Sequence, residues 1–339
     1  MTGLAHPEDL GAWQRWQDRQ HPLRSAKARL RPAGDAVGVL TSGGPDPSVL
    51  VAIDSTSPSN VAALLAPVAH LDPARVAVLS PGDLRSLLPQ GPWTTRDWSA
   101  GDPLPEVGAV VSAGHYLALG AAAYQLARAR DLPFVVSQHG ALTPVAPPLP
   151  PGAVLCAWSE EDAEFWRSGR VDVTSHVVGS ELLWQARSAG HAAGIDRAAA
   201  PTYLGQLHGA ELRRRELAAA ARDFCRTTGA TYRPHPSERD RASRRIHAGW
   251  ERAGIRVDRS GTPLAAVTTP VVGVFSTGVL EAAARGIPAW VDFPRPPGWL
   301  ADFWARYRMA QWGGPPTPAP PLTESSPARA VAALIGELS

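Results

Sequence analysis

Short runs of apolar, largely β-branched residues alternate with helix-like segments along most of this chain, and this alternation restricts the possible folds more than any other feature. Strand-like runs lie at residues 48–54, 75–79, 107–112, 134–137, 153–157 and 173–178, and again at 202–207, 231–233, 271–275 and 289–291. Because these runs are apolar without a polar alternation, we expect both faces of each strand to be buried. The sequence therefore predicts parallel sheets covered by helices on both faces, which is an α/β fold.

The chain of 339 residues is long for a single core, and a stretch rich in small and polar residues (QARSAGHAAGIDRAAA) separates the two sets of strands. We predict a first Rossmann-like domain over residues 1–190, a second over 200–312, and a proline-rich link with a terminal helix over 313–339. An amphipathic helix over 7–30 and a turn-rich stretch over 35–48 are predicted to precede the first strand. Parallel sheets that oppose their carboxyl edges would face each other across a cleft.

The composition excludes several classes of protein. With 44% hydrophobic and 19% charged residues the chain matches a soluble globular protein, and its 33 basic residues are interleaved with 31 acidic ones, so no nucleic-acid-binding patch is predicted. Every Lys or Arg except Lys27 is an arginine, which excludes a phosphate-binding loop of the GxxxxGK type and a Schiff-base lysine. Cys156 and Cys225 lie far apart and are predicted to be buried thiols.

The N-terminal sequence lacks the charged and apolar regions of a signal peptide, and no apolar run approaches ~20 residues. We therefore expect a cytoplasmic protein without a transmembrane segment, while peripheral contact with a membrane stays open.

A strand, a helix start and a carboxylate follow one another in VVGVFSTGVLEAAARGIPAWV, residues 271–291. Ser276 or Thr277 is predicted to cap a helix whose N–H groups lie at the carboxyl edge of the sheet. Such a helix start binds anions, and Gly278 lacks the Cβ that would hinder a phosphate. Glu281, one turn further, is expected to reach a ribose hydroxyl. The alternative interpretation is an ordinary helix cap beside an exposed glutamate.

A histidine lies between two prolines where another strand meets a helix, in TYRPHPSERD. Residues that precede proline avoid the helical region, so Arg233 and His235 are predicted to be held extended at the carboxyl end of the strand. An arginine and a histidine at this point are suited to bind a diphosphate. Because an isolated histidine is more often structural, that alternative stays open.

The third group is Gln138-His139-Gly140, which ends a strand in the first half and opens a proline-rich loop. Gly140 allows a tight turn that exposes the imidazole, and a neutral histidine is well suited to take a proton near neutral pH. His139 is therefore the predicted general base, with a loop histidine bonded to the backbone as the alternative. Residues that could line the pocket are Gln138, Gly140, Gln206, His208 and Gly209.

Together, two Rossmann-like domains, QHG in the first, and RPHP and FSTGVLEA in the second resemble the GT-B glycosyltransferases. Within that fold, the motifs are similar to those of the CDP-glycerol glycerophosphotransferases and the bacterial sialyl-, polysialyl- and Kdo-transferases. The resemblance implies that the donor phosphates meet Arg233 and His235 and are capped by Ser276 and Thr277, that the ribose contacts Glu281, and that the acceptor hydroxyl is deprotonated by His139. The glycerophosphotransferases usually have an aromatic residue before His-Gly, a lysine shortly after it, and Asp-Tyr-Ser-Ser where this chain has Val-Phe-Ser-Thr, so the donor's identity stays open.

The resemblance implies a transferase that moves a sugar or polyol phosphate from a nucleotide-activated donor of the CMP/CDP or UDP type to a hydroxyl acceptor. It further implies that the transfer inverts the configuration and that it belongs to the synthesis of a cell-surface glycan or related glycoconjugate. The donor is a substrate, so no cofactor is predicted. The sequence has no Asp-x-Asp motif, which predicts that no metal ion is required. Two alternatives are a UDP-sugar 2-epimerase-like isomerase and a non-catalytic nucleotide-sugar-binding protein.

Overall fold

The computed structural model describes residues 3–20, 36–190 and 194–339. These residues form two compact units. The eight-stranded unit comprises the described residues up to Leu182 together with Leu322–Ser339, and the four-stranded unit comprises Leu183–Pro321. Each unit contains one sheet with helices, which confirms the predicted α/β class with two Rossmann-like sheets.

The helices, numbered along the chain, are α1 (Leu10–Gln20), α2 (Ala118–Arg130), α3 (Glu160–Arg167), α4 (Glu181–Ser188), α5 (Arg214–Thr228), α6 (Arg241–Arg252), α7 (Thr277–Ala284), α8 (Gly298–Arg306) and α9 (Pro327–Leu338). A continuous helical segment is built from the turns Pro58–Asn60, Val61–Leu65 and Ala66–His70. Short 3-10 turns lie at Pro73–Arg75, Arg85–Leu87 and Leu264–Ala266.

The sheet of the eight-stranded unit is mixed. Its strands are β1 (Val37–Ser42), β2 (Val49–Ala52), β3 (Val76–Ser80), β4 (Thr94–Ser99), β5 (Ala109–Ser112), β6 (Phe134–Ser137), β7 (Val154–Ala157) and β8 (Thr174–Val177), in the order β4-β1-β3-β2-β5-β6-β7-β8. β1 pairs antiparallel with β3 and β4, and the other pairings are parallel. The chain runs from β2 to β3 on one side and then to β5 on the other. The topological switch point, where open α/β sheets bind ligands, therefore lies between β2 and β5.

Successive residues of the central strands point to opposite faces of this sheet, and both faces are buried. Leu50 and Ala52 join one core with α2 and α3, whereas Val49 and Val51 join the other with the helical segment before β3 and with α9. The continuous apolar strand sequences arise because helices cover both faces. Cys156 lies in the second of these cores, and it and Cys225 are free and buried, as predicted.

The sequence did not predict the antiparallel strands of this sheet. β1 replaces the turn-rich stretch that was expected at 35–48, and it pairs along its whole length with β4. Trp98 is the one buried residue of β4, so this strand carries little of the apolar signal by which strands are recognised. The helix predicted over 7–30 is present as α1, and residues 21–30 lie outside the described residues. α4 extends into the stretch predicted to be a hinge.

The terminal helix α9 belongs to the eight-stranded unit. The Oε2 of Glu181 accepts hydrogen bonds from the N–H of Ala328 at 2.9 Å and from the hydroxyl of Ser326 at 2.8 Å, at the start of the helix. A carboxylate is favourable there because it opposes the positive end of the helix dipole. Residues buried along the helix include Val331, Leu334 and Ile335. The terminal helix is thus part of the core of this unit.

The sheet of the four-stranded unit is parallel throughout. Its strands are β9 (Thr202–Leu204), β10 (Thr231–Arg233), β11 (Val271–Gly273) and β12 (Ala289–Val291), in the order β10-β9-β11-β12. The connections from β9 to β10, from β10 to β11 and from β11 to β12 contain α5, α6 and α7, respectively. The carboxyl ends of all these strands therefore lie at one edge of the sheet, with the helix starts beside them.

Candidate functional site

Three neighbouring loops at the carboxyl edge of the four-stranded sheet contain His235, Ser276 and the predicted pocket residues Gln206, His208 and Gly209. We call them the edge loops; they span residues 205–209 after β9, 234–238 after β10 and 274–276 after β11. The β9 loop lies between the other two. Its His208 stacks on His235, and a Cβ added to its Gly209 would lie 3.3 Å from the ring of Phe275. The structure therefore brings the two histidines and the start of α7 to one edge.

The imidazoles of His208 and His235 are stacked, with ring centroids 3.8 Å apart and planes inclined by 16°. The Nδ1 of His235 accepts a hydrogen bond from the N–H of Ser237 at 3.1 Å. Because a backbone N–H can only donate, Nδ1 carries no proton and the ring N–H is at Nε2. His235 is an exposed residue, and partial loss of solvent around its ring lowers the pKa of the imidazole, while the carboxylate of Glu238 opposes this effect. At neutral pH, His235 is therefore an uncharged donor through Nε2.

The start of α7 is capped as the sequence predicted. Ser276 is the N-cap, and its Oγ accepts a hydrogen bond from the N–H of Gly278 at 3.1 Å, with Thr277 as the first helical residue. A Cβ at Gly278 would lie 2.8 Å from the terminal carbons of Leu204 and Leu264, so packing also disfavours a side chain there. The predicted approach of a phosphate to Gly278 stays a prediction.

Gln206 fixes the segment that leads into α7. Its side chain is buried, and its Oε1 accepts hydrogen bonds from the N–H groups of Val274 at 3.1 Å and Phe275 at 3.0 Å. One side chain thereby joins the loop after β9 to the loop after β11. The carboxamide oxygen of Gln206 thus connects two edge loops, and the expected place of this residue in a pocket lining stays a prediction.

Arg233 and Glu281 have different surroundings. The guanidinium of Arg233 pairs with Asp258 at 3.2 Å and also donates to the carbonyl of Thr262.

Glu281 is half-buried, and no described residue donates a hydrogen bond to its carboxylate. Burial raises the pKa of Glu281, against the opposing charges of Arg285 and Arg233. A half-buried carboxylate to which no described residue donates a hydrogen bond is suited to accept one from a ligand hydroxyl. The ligand contacts of Arg233 and Glu281 stay predictions.

In the eight-stranded unit, a buried glutamine fixes the turn that carries His139. The Nε2 of Gln138 donates to Asp162 at 2.7 Å and to the carbonyl of Gly140 at 3.1 Å, while its Oε1 accepts from the N–H of Trp158 at 2.9 Å. The indole N–H of Trp158 donates in turn to the carbonyl of Gln138 at 2.9 Å. The side chain of Gln138 therefore positions the turn between β6 and the following loop, and its expected place in the pocket lining stays a prediction.

His139 has the properties of an uncharged proton acceptor. Its Nδ1 is shielded from solvent, and the ring has no hydrogen-bond partner among the described residues. Burial lowers the pKa of His139 to about 4. The ring is therefore neutral near pH 7, with one nitrogen lone pair available to accept a proton. An unpaired buried nitrogen is unfavourable until a ligand or water supplies a partner, which agrees with a position at a binding site.

The proline-rich loop that follows is held by donors from other segments. Proline has no N–H, so residues 144–150 present mainly carbonyl groups. Hydrogen bonds reach them from Trp13 to Val145 at 2.8 Å, from Trp166 to Pro147 at 2.8 Å and from Arg170 to Leu149 at 2.6 Å. Helix α1 is thereby attached to this loop through Trp13.

The switch point of the eight-stranded sheet holds a carboxylate that was not singled out from the sequence. Asp54 follows β2, and its two oxygens accept hydrogen bonds from the N–H groups of Leu119 at 2.8 Å and Gly120 at 2.9 Å, at the start of α2. Helix starts attract anions, and here the anion is Asp54 itself. An aspartate at the end of SVLVAID is visible in the sequence. Its partner helix lies 65 residues further on, so no local pattern reveals the contact.

A second histidine of the eight-stranded unit, His115, is also neutral. It follows β5, is 9% exposed and packs edge-on against Tyr124 with ring centroids 5.0 Å apart. Its Nδ1 is buried without a hydrogen-bond partner among the described residues. Burial, with a smaller contribution from the charge of Arg170, lowers the pKa of His115 to about 4.

We expect His115 to make the eight-stranded unit sensitive to acid. Between its ordinary pKa of 6.5 and the lowered value of about 4, the unfolded chain binds a proton that the folded chain does not. The free energy of unfolding should therefore fall as the pH drops through this window, by up to ~3 kcal/mol for this residue. Urea denaturation at pH 7 and pH 4.5 measures the loss, which should be smaller in His115→Phe. An equal loss in the variant would contradict the prediction, and His176→Phe, at an exposed histidine, is the control.

Among residues 3–20, 36–190 and 194–339, no group of three or more His, Cys, Asp or Glu side chains is arranged to hold a metal ion, and no helix is long and apolar enough to cross a bilayer.

No protein-family model matches the chain, and no curated protein matches it. One solved structure that is similar to it is described as the glycotransferase of kitacinnamycin. It is 11% identical, with a TM-score of 0.38, and the match covers 87% of this chain and 91% of that one. The function proposed below therefore depends on the residues at the two sheet edges.

Proposed function

We propose that this chain is a transferase that moves a sugar or polyol phosphate from a nucleotide-activated donor to a hydroxyl acceptor. The donor phosphates bind at the edge loops of the four-stranded unit, and His139 of the eight-stranded unit is the general base. The observation that carries the proposal is the His208–His235 stack, which lies on the same edge as the capped start of α7 and has its donor at Nε2.

The chemistry of these groups supports the proposal. A nucleotide phosphate needs donors that are already fixed, because fixed donors stabilise the charge of the leaving group without reorganisation. His235 supplies such a donor, and the start of α7 adds the positive end of a helix dipole. Glu281 then accepts a hydrogen bond from the ribose. His139, with a lone pair and no partner among the described residues, takes the acceptor proton.

Two further features belong to the proposal. Fixed donors at the edge loops replace a metal ion as the stabiliser of the leaving group. A single displacement by the deprotonated acceptor inverts the configuration at the sugar carbon. The donor is of the CMP/CDP or UDP type, and the product is a cell-surface glycan or related glycoconjugate.

Nucleotide binding tests the proposal. In a thermal-shift panel of CMP, CDP, UDP and GDP, we expect at least one nucleotide to stabilise the wild type, by about 2.7 kcal/mol at a concentration one hundred times its Kd. His235→Ala should reduce this shift because it removes the Nε2 donor. His70→Ala, at an exposed histidine of the other unit, is the control and should respond as the wild type does. If none of the four nucleotides stabilises the wild type, the proposed donor site is wrong.

A further inference from the structure

A buried glutamate connects the two loops that carry the stacked histidines. The backbone N–H of Glu238 donates to the carbonyl of His235 at 2.8 Å, and its side-chain Oε1 accepts from the N–H of Leu207 at 2.9 Å. Leu207 is the residue before His208. A single residue thus reaches both imidazole-bearing loops, which lie 31 residues apart at this contact.

Hydrogen-bond partners and a glycine accommodate the buried carboxylate of Glu238. Its side chain is fully buried, and its second oxygen accepts from the hydroxyl of Tyr232 at 2.9 Å and bonds to Nε2 of His247 at 3.0 Å. A Cβ at Gly205 would lie 2.7 Å from Oε1, so only glycine leaves room for the carboxylate. A buried carboxylate is costly unless its lone pairs are used, and here each oxygen has a partner.

The other side of Leu207 is held as well. Its carbonyl accepts a hydrogen bond from the Nε of Arg214 at 3.0 Å, and the same guanidinium pairs with Asp240 at 2.8 Å. Asp240 is the N-cap of α6, two residues after Glu238. Both polar groups of the Leu207 backbone are therefore tied to the segment that leads into α6, so the β9 loop cannot move away from the β10 loop without breaking the buried hydrogen bond to Glu238 and the half-buried one to Arg214.

We propose that Glu238 is a positioning residue for the nucleotide-phosphate site: it holds His208 stacked on His235, so that His235 presents its Nε2–H to the ligand. This inference rests on the proposed function. Glu238 bonds to the two loops through its backbone N–H and Oε1. Its other oxygen bonds only to the side chains of Tyr232 and His247 and not to the backbone of either loop. The two groups of contacts can therefore be separated by substitution.

Three variants separate positioning from stability. Glu238→Ala removes the acceptor for Leu207, Glu238→Gln keeps an oxygen that can accept from it, and Tyr232→Phe removes a buried hydrogen bond on the other oxygen only. We expect the nucleotide that stabilises the wild type to bind about tenfold or more weakly to Glu238→Ala. Glu238→Gln should restore most of the affinity. Tyr232→Phe should lower the melting temperature and leave the affinity unchanged.

Two measurements without any ligand test the same inference. In Glu238→Ala, the N–H of Leu207 should exchange faster with deuterium, and the imidazole NMR signals of His208 and His235 should shift as the stack opens. Tyr232→Phe should change neither. Unchanged exchange and imidazole signals in Glu238→Ala would overturn the positioning role, as would wild-type nucleotide affinity in that variant. If the wild type binds no nucleotide, the proposed function fails, and the ligand-free measurements still decide whether Glu238 holds the stack.

Discussion

Replacing Gly205 by alanine is expected to lower the free energy of unfolding of the four-stranded unit by about 2–3 kcal/mol, because the added methyl overpacks a buried site. A Cβ at this position would lie 2.7 Å from both Oε1 of Glu238 and Cζ of Tyr232, and closer still to the Tyr232 hydroxyl. Neither neighbour can withdraw freely, since the two side chains are hydrogen-bonded to each other at 2.9 Å in the interior. Urea denaturation followed by tryptophan fluorescence measures the loss.

The matched control is Gly249→Ala. Gly249 lies inside α6, where a Cβ would meet only the far end of Arg252 at 3.9 Å. Alanine is favoured over glycine in a helix interior by about 1 kcal/mol, so this variant should be more stable than the wild type. Opposite signs for the two variants are expected. A Gly205→Ala variant as stable as the wild type would show that the tight contact does not exist in solution.

The second large effect is expected for Gln206→Leu. Leucine keeps most of the volume but leaves the N–H groups of Val274 and Phe275 buried without their acceptor. Each unsatisfied buried amide costs about 1–3 kcal/mol, so the loss of both bonds should lower the free energy of unfolding by about 2–6 kcal/mol. Deuterium exchange should be faster at these two amides, which places the effect at the start of α7.

An exposed glutamine of the same unit provides the comparison. Gln311→Leu removes a side chain from the surface and should change the free energy of unfolding by less than about 0.5 kcal/mol. Equal losses in Gln206→Leu and Gln311→Leu would mean that the hydrogen bonds from Val274 and Phe275 to Gln206 contribute nothing to the free energy of unfolding. Faster exchange without a loss of stability would also contradict the prediction, because it would place the two amides outside the cooperative core.

Strands buried on both faces were predictable from sequence. β6 spans Phe134–Ser137 as expected, because its four residues are all buried and the apolar run over its first three residues marks it. β4 was missed since it is exposed except at Trp98, and a polar strand at a sheet edge has no periodic signal. The start of α7 was predicted correctly because a cap is a local contact: Ser276 bonds two residues ahead.

The surroundings of the candidate site were less predictable, since they depend on contacts that are distant in sequence. Arg233 was expected to meet a phosphate, and its partner Asp258 lies 25 residues away. The contact from Gln206 to Val274 spans 68 residues. The residues that anchor the turns at His235 and His139 become visible only when the strands are placed side by side.

Both sheet edges use the carboxamide of a glutamine, Gln138 or Gln206, as the link between adjacent loops. A carboxamide does not titrate in the range where proteins stay folded, and it has no net charge for dissolved ions to screen. At the edge of the four-stranded sheet the partners of Gln206 are backbone N–H groups, so the turn that bears Ser276 should keep its anchorage in acid and at high salt, conditions that weaken an ion pair such as Arg233–Asp258.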